Sequence, residues 1–194
     1  MEERADKLLN FLKEIEKYKL VERRTFCSNL RRRESDAEHS WHLAMIVLLF
    51  EKELAAKADI LKMLKIYLIH DLAEIYAGDP FAFDKAEREG KEEREEDALK
   101  KLPALLPKDV EDKFKNLLGE YRESKTIEAK IVQSLDKLQP ILQNICSGGK
   151  SWKDNKINFG IVDSYKRPLM EHDRFILGLY LRLTDEARSK KYLQ

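Results

Sequence analysis

Apolar residues recur at helical spacing along most of the chain and predict an all-α fold. The opening stretch, MEERADKLLNFLKEIEKYKL, places leucine and isoleucine along one face of an amphipathic helix. MEHDRFILGLYLRL, near the other end, repeats this pattern. No segment shows the apolar–polar alternation of a half-buried strand. The periodic segments therefore predict a bundle of roughly six to eight helices.

Capping residues and helix breakers set the expected limits of two central helices. Ser35 or Asp36 is expected to cap a helix that runs to about Lys57. Asp59 is expected to cap the next helix, which carries leucine and isoleucine along one face. The sequence AGDP at 77–80 ends that helix, because glycine and proline both stop helices.

Three further segments are more polar. VERRTFCSNLRRRESDA (21–37) loses the helical period and is predicted to be a loop. DKAEREGKEEREEDALKKL (84–102) is predicted to be one highly charged helix with a solvated face. SGGKSWKDNK (147–156) is predicted to be another loop.

Composition narrows the classes of function. The chain has 194 residues, and its 37 basic side chains nearly balance 36 acidic ones, so the net charge of +1 gives no reason to expect nucleic-acid binding. Cys27 and Cys146 lie far apart, which argues against a disulfide scaffold or a zinc ribbon. The start of the chain lacks an apolar signal core, and the longest apolar run, 43–50, is too short to span a bilayer. We therefore expect a cytoplasmic protein without a membrane partner.

Three titratable residues share one face of a predicted helix. His70, Asp71 and Glu74 converge there because positions three and four apart lie on the same side of a helix. The face is otherwise leucine and isoleucine, so it is expected to point inward. A buried carboxylate is costly unless it is paired or bound to a metal ion, and a divalent ion would satisfy this group.

His39 and Asp136 extend the candidate site. A set of imidazole and carboxylate ligands suits transition metals such as manganese, cobalt, iron, nickel or zinc. Each residue alone has an ordinary alternative, because His39 could be a hydrogen-bonded core histidine and Asp136 an exposed acid beside Lys137. His42, three residues after His39, could be a ligand, a support for a ligand or part of the core, and the last two are favoured.

The order of these residues resembles the HD-domain superfamily of metal-dependent phosphohydrolases. The similarity is carried by ESDAEHSWHLAM (34–45), LIHDLAEIYAGDP (68–80) and LDKLQPILQ (135–143). These blocks are similar to the branch of 5′-deoxynucleotidases that includes the bacterial enzymes and the HD-domain-containing protein 2 group. The resemblance implies one HD-domain helical bundle over 1–194. Its metal-site core would span about 20–146, with helices at 155–190 packing on it, and the protein would be a homodimer.

The resemblance also implies a set of metal ligands. A divalent ion is expected, either Co²⁺, Mn²⁺ or another transition metal ion, with Mg²⁺ or Zn²⁺ as alternatives. The ligands that match the family pattern are His39, His70, Asp71 and Asp136.

Three other positions match the substrate side of the family pattern, and a fourth departs from it. Glu74 matches the catalytic glutamate. Asp79 matches an aspartate near the sugar and the reacting centre, so it is a candidate for both catalysis and substrate binding. Arg24 stands at the spacing of a phosphate-binding arginine. Bacterial members follow that arginine with a tryptophan that helps to reject ribonucleotides, whereas this chain has Thr25, which leaves strict 2′-deoxy selectivity open.

The implied reaction is hydrolysis of a nucleoside or deoxynucleoside 5′-monophosphate to the nucleoside and phosphate. Two alternatives stay open: an HD hydrolase that acts on nucleoside triphosphates or alarmone nucleotides, and a nucleotide-binding regulator without turnover. Glu74 and the turn at 78–80 favour the monophosphatase. The complete set of candidate ligands argues against the regulator.

Overall fold

A computed structural model describes residues 2–55 and 58–194, and these residues are mostly helical. Seven of the α-helices in this described part have ten or more residues, and the predicted all-α class is confirmed. The α-helices are α1 (Glu2–Ile15), α2 (Asp36–Leu49), α3 (Glu51–Ala55), α4 (Ile60–Ile69), α5 (Glu74–Ala77), α6 (Lys85–Arg88), α7 (Lys91–Lys101), α8 (Lys108–Glu123), α9 (Ile127–Cys146), α10 (Lys150–Asp154), α11 (Phe159–Lys166) and α12 (Arg174–Ser189). Short 3₁₀ helices occupy Glu16–Leu20, Pro103–Leu105 and Arg167–Leu169.

The segment predicted as a loop at 21–37 contains a small antiparallel sheet, so that prediction was wrong. Strand β1 (Glu22–Phe26) pairs with β2 (Arg33–Ser35) in an irregular register. The strands are short and carry arginine and glutamate inward, so apolar alternation could not reveal them. Gln143 of α9 donates a hydrogen bond to the Phe26 carbonyl at 2.7 Å, which fixes the sheet to the central helix.

The predicted caps of α2 and α4 are confirmed. Ser35 accepts a hydrogen bond from the backbone amide of Glu38, whose side chain accepts one from Ser35 in return. This reciprocal capping box satisfies two amides at the start of α2. Asp59 accepts from the Lys62 amide at 3.0 Å and caps α4. The first of these helices was expected to run to about Lys57, but it ends at Leu49 and α3 begins after Phe50, while Lys57 itself lies outside the described residues.

Other predicted limits were too long. The helix expected up to residue 77 ends at Ile69, and a turn at 70–73 leads into α5. The charged helix expected over 84–102 is divided at Gly90, which has a left-handed φ of 65°. The loop expected at 147–156 contains α10.

Helix α9 lies at the centre of the bundle and packs against α2, α4, α8 and α12. The main hydrophobic core lies between these helices and includes Leu43, Val47, Met63, Ile66, Leu135, Ile141, Ile176 and Tyr180. A smaller core joins α1 to α8 and to the turn at 70–73. It contains Phe11, Tyr18, Leu72, Phe114 and Leu118. In the described ranges, no helix combines the length and apolar character needed to cross a membrane.

Candidate metal centre

Four predicted ligands converge where α2, the turn after α4, and α9 meet. One ligand atom from each of His39, His70, Asp71 and Asp136 lies within 4.8 Å of the others. His39 Nε2 is 2.9 Å from Asp136 Oδ1, and His70 Nε2 is 3.0 Å from Asp71 Oδ2. Neighbouring ligand atoms around one ion are about 3 Å apart when each metal–ligand bond is about 2.1 Å. The four side chains therefore have the spacing of a metal site.

The hydrogen bonds of Gln139 determine the tautomer of His39. The Gln139 amide nitrogen donates to Glu34 Oε1 at 2.7 Å, so the amide oxygen is the atom 2.8 Å from His39 Nδ1. His39 Nδ1 must then carry the proton and donate it, which leaves a lone pair on Nε2. That lone pair faces a carboxylate oxygen of Asp136. Two acceptors at this distance need a cation between them.

His70 also directs its Nε2 toward these carboxylates, at 3.0 Å from Asp71 and 3.8 Å from Asp136. Its Nδ1 donates to the Tyr67 carbonyl at 2.8 Å, and its Nε2 is buried without a hydrogen-bond partner among the described residues. Such orphaned buried polar atoms are rare, and a missing ion is one of their ordinary explanations. Because the unpartnered Nε2 lies beside Asp71 and Asp136, the residues present fit a divalent metal ion.

The electrostatics of the cluster also favour a cation. Burial lowers the pKa of both imidazoles, but the charges of Asp71 and Asp136 outweigh it at His70 and raise the pKa of His70 to about 10. Burial raises the pKa of both aspartates, yet positive charge on His70 and Lys137 holds the pKa of each below its usual value. The site therefore keeps its carboxylates ionised and attracts positive charge to His70 Nε2.

A mostly buried arginine, Arg23, adjoins the four ligands, and the sequence did not single it out. Arg23 Nη1 lies 2.9 Å from Asp36 Oδ1, 3.5 Å from Asp71 Oδ2 and 3.6 Å from Asp79 Oδ2. Strand β1 directs this side chain inward because residues two apart, here Arg23 and Thr25, lie on the same face. In the sequence, only the alternation of inward and outward polar residues over 22–26 could have indicated that Arg23 points inward. Its guanidinium offsets the charge of three carboxylates in one buried place.

Glu74 lies in a second group of acids beside the first. Carboxylate oxygens of Asp36, Asp71 and Glu74 lie within 4.8 Å of one another. Burial and the charge of Asp71 raise the pKa of Glu74 well above its ordinary value. Its Oε1 is 3.4 Å from Lys91 Nζ, while Oε2 is buried and has no hydrogen-bond partner within the described part of the chain. Glu74 therefore holds one free oxygen beside the candidate metal site.

The predicted substrate residues have different environments. Asp79 lies at the cluster and contacts Arg23. Arg24 instead pairs with Glu87, and 38% of its side chain is exposed. Thr25 is buried and donates to Glu34 Oε2 at 2.6 Å. All three nevertheless line one cavity with the ligands His70, Asp71 and Asp136.

This cavity has a volume of about 370 Å³. Its walls carry seven basic side chains from five parts of the chain, namely Arg23, Arg24, Arg88, Lys91, Arg122, Lys137 and Lys166. Aromatic rings contribute a further wall, where Phe83 stacks edge-on against Phe81 at 5.4 Å and against Tyr165 at 5.5 Å between ring centroids. The cavity thus combines a candidate metal site, basic groups and an apolar surface.

Comparison with known proteins places this arrangement in a family. The HD-domain family model matches residues 15–173. The chain belongs to the HD-domain family. The predicted resemblance is confirmed, and the His-Asp pair after which such domains are named is His70–Asp71 in this chain.

Similar proteins cover most of this HD domain. The bovine protein named 5′-deoxynucleotidase HDDC2 is 35% identical over 140 residues, which is 72% of this chain and 67% of the bovine one. The human protein of that name is 33% identical over the same shares of both chains. The crystal structure of a protein from Magnetospirillum magnetotacticum, described as a predicted metal-dependent phosphohydrolase, superposes on this chain with a TM-score of 0.90. It is 36% identical and covers 98% of this chain and 95% of its own.

In this HD domain, a chain of buried hydrogen bonds supports His39. Gln139 accepts from His39 and donates both to Glu34 and, at 3.2 Å, to His42 Nδ1. Thr25 holds the other oxygen of Glu34. His42 thus lies one hydrogen bond beyond Gln139, as a support for a ligand rather than as a member of the four-ligand cluster.

We expect Gln139→Ala to lower the affinity of the HD domain for Co²⁺ by about 10–100-fold, the usual effect of losing a partner behind a metal-ligating histidine. The imidazole would lose the acceptor that fixes its tautomer. Competition with a chelator measures the affinity, and the visible spectrum of bound Co²⁺ reports the ligand geometry. Gln143→Ala is a matched control, since Gln143 is a buried glutamine of the same helix that bonds the Phe26 carbonyl instead. Equal affinities in the two variants would contradict the supporting role.

Proposed function

We propose that this HD domain is a metal-dependent 5′-nucleotidase that hydrolyses nucleoside and deoxynucleoside 5′-monophosphates to nucleoside and phosphate. The observation that carries the proposal is the unpartnered, buried Nε2 of His70 beside Asp71 and Asp136, at the wall of a cavity rich in basic groups. The names of the bovine and human relatives support the choice of nucleotide substrate.

In this proposal, His39, His70, Asp71 and Asp136 hold one divalent ion. When bound, such an ion polarises a phosphoryl oxygen and lowers the pKa of a water molecule toward about 7. Phosphate monoesters hydrolyse extremely slowly without catalysis, so both effects are needed. The donor set of two imidazoles and two carboxylates suits Co²⁺, Mn²⁺ or another transition metal ion, with Mg²⁺ and Zn²⁺ as the alternatives to be tested.

Glu74 takes the proton from the attacking water. Its free Oε2 supports this role, because a general base needs an oxygen without a permanent partner within reach of the reacting centre. Lys91, 3.4 Å from the other oxygen, holds the carboxylate in place. Burial and the charges of Asp71 and Asp36 raise the pKa of Glu74, so its carboxylate, once ionised beside a bound cation, is a stronger base than an ordinary glutamate.

Asp79 and Arg24 act on the substrate. Asp79 lies in the same cluster, with 16% of its side chain exposed to the cavity, and either holds a sugar hydroxyl or protonates the leaving 5′-oxygen. Arg24 binds the phosphate by charge-assisted hydrogen bonds once the substrate displaces Glu87 from its guanidinium. Arg23 positions the aspartates, and it contacts Asp79 and Asp71 at 3.6 and 3.5 Å.

The nucleobase lies against the aromatic wall. Phe81, Phe83 and Tyr165 offer rings on which any base can stack, because every base has an aromatic face. A wall of this kind supports a nucleoside substrate rather than a simple phosphate ester. Stacking on these rings does not distinguish one base from another, because it involves no hydrogen bonds to the base.

A homodimer is part of the same proposal. Helix α2 exposes large apolar side chains on its outer surface, with 64% of Trp41, 49% of Leu48 and 73% of Leu49 accessible. Exposed apolar residues that cluster on one helix commonly mark a protein interface. A second copy of this chain is the occupant that the family resemblance implies.

Phosphate release from a panel of nucleotides tests the proposed reaction. The panel contains nucleoside and deoxynucleoside monophosphates, triphosphates and a guanosine alarmone, each with Co²⁺, Mn²⁺, Mg²⁺, Zn²⁺ or a chelator. We expect phosphate from the monophosphates, loss of activity with chelator and no pyrophosphate from the triphosphates. Turnover of triphosphates or the alarmone alone would refute the 5′-nucleotidase, and nucleotide binding without turnover would indicate a regulator.

A further inference from the structure

Lys166, the last residue of α11, is a buried lysine in the cavity wall. Only 6% of the residue is exposed. Lysine is rarely buried to this degree without a charged partner, because an ammonium group loses its hydration. The reaction described above assigns no role to it.

The Lys166 ammonium has one protein acceptor in the described residues. Its Nζ donates to the Lys137 carbonyl at 2.7 Å. Over 2–55 and 58–194, no carboxylate oxygen lies within the 4.0 Å of an ion pair with this Nζ. An ammonium group has three N–H donors, so two of them lack a protein partner there. A buried cation in this state indicates an anionic ligand.

The position of Lys166 relates that ligand to the candidate metal site. The carbonyl it bonds belongs to the residue after Asp136, and Lys137 Nζ lies 2.7 Å from Asp136 Oδ2. Lys137 therefore contacts a predicted metal ligand, and Lys166 lies against the backbone of the adjacent residue. Burial and repulsion from Lys137 lower the pKa of Lys166 to about 7, as expected for a cation with too little negative charge around it.

We propose that Lys166 and Lys137 form an anion subsite that binds a non-bridging oxygen of the substrate phosphate and of the phosphate product. The identity of the anion as the substrate phosphate rests on the proposed function, since the lysines themselves indicate only a phosphate-like anion. Arg24 must release Glu87 before it can bind phosphate, whereas Lys166 has no carboxylate to release. Lys166 can therefore bind an anion without first breaking an ion pair, whereas Arg24 cannot.

Binding of inorganic phosphate to the full chain, saturated with Mn²⁺ and measured by calorimetry, tests the subsite. Lys166→Met is expected to weaken phosphate binding by about 10-fold or more, the loss of one charge-assisted hydrogen bond. Lys166→Gln removes the charge but retains an N–H donor on a shorter side chain, so it is also expected to weaken phosphate binding. Lys130→Met is the control, because Lys130 is an exposed lysine of α9 outside the cavity.

Thermal unfolding of the same variants separates binding from support of the fold. If Lys166 only holds the Lys137 carbonyl, Lys166→Met lowers the melting temperature, both variants keep the phosphate affinity of the control, and the subsite is refuted. If Lys166→Met does not fold, the affinity of Lys166→Gln decides alone. Phosphate binding that depends on Lys166, in a protein that hydrolyses no nucleotide of the panel, would keep the subsite and refute the 5′-nucleotidase. Hydrolysis of the nucleotides, with a phosphate affinity that does not depend on Lys166, would support the 5′-nucleotidase and refute the subsite.

Discussion

Replacement of Asp71 by alanine is expected to abolish hydrolysis and to remove the metal ion. The carboxylate is 3.0 Å from the unpartnered His70 Nε2 and shares the place where the four ligand atoms converge. Its loss should reduce metal affinity by more than the 10–100-fold that follows from losing a residue behind a ligand. Metal content by mass spectrometry, measured beside kcat on a deoxynucleoside monophosphate, tests this expectation.

The control for this variant is Asp112→Ala. Asp112 is an exposed aspartate of α8 whose partner is Lys108, so its removal leaves the metal site intact. Circular dichroism of both variants checks that the helices are retained. Full metal occupancy together with a near-normal rate in Asp71→Ala would exclude Asp71 as a ligand.

Glu74→Gln is expected to retain metal and substrate but to lose about 10²–10⁴-fold in kcat, the usual contribution of a general base. The amide has nearly the same shape as the carboxylate and cannot accept the proton from water. Equilibrium metal titration and steady-state kinetics on one nucleotide distinguish three roles. If Glu74 is a general base, Glu74→Gln lowers kcat and leaves metal affinity unchanged. If Glu74 is a metal ligand, kcat and metal affinity fall together. If Glu74 is only a solvated acid, neither quantity changes.

Glu95→Gln separates the role of Glu74 from that of its partner. Glu95 also pairs with Lys91, at 3.1 Å, but it belongs to α7 and lies outside the two clusters of candidate ligands. If the effect of Glu74→Gln came only from a released Lys91, Glu95→Gln would reproduce it. A rate within about threefold of wild type in Glu74→Gln, far below the range for a general base, would refute the proposed mechanism.

The sequence was sufficient to bring the four candidate ligands together, although it misplaced the helix that carries two of them. His70 and Asp71 were expected within a continuous helix and lie in a turn after α4. His70 keeps right-handed helical angles, with φ −59° and ψ −39°. The local spacing of the side chains therefore resembles that of a helix. For this reason His70 and Asp71 lie near Glu74 as predicted, although the predicted end of the helix was wrong.

The residues that were missed had no local signal beyond the short alternation of polar residues around Arg23. Arg23 follows a glutamate and precedes another arginine, so its burial depends on a strand whose pairing is set by a distant segment. Asp36 has the expected place of an acid in the first turn of a helix, where a solvated role is the common one. Lys166 ends α11, where a cation ordinarily stays in water. In each case the tertiary structure, not the neighbouring sequence, decides the environment.

The hydrogen bonds that run from Thr25 through Glu34 and Gln139 to His39 have a consequence for engineering. Under the proposed function, residue 25 is the position at which sugar selectivity would be varied, for example with Thr25→Trp. That change removes the hydroxyl that holds a buried carboxylate, and the disturbance passes through the amide to a metal ligand. Under the proposed function, a substitution at residue 25 is therefore expected to affect metal retention as well as substrate choice, and a mutant library that varies residue 25 should vary residues 34 and 139 with it.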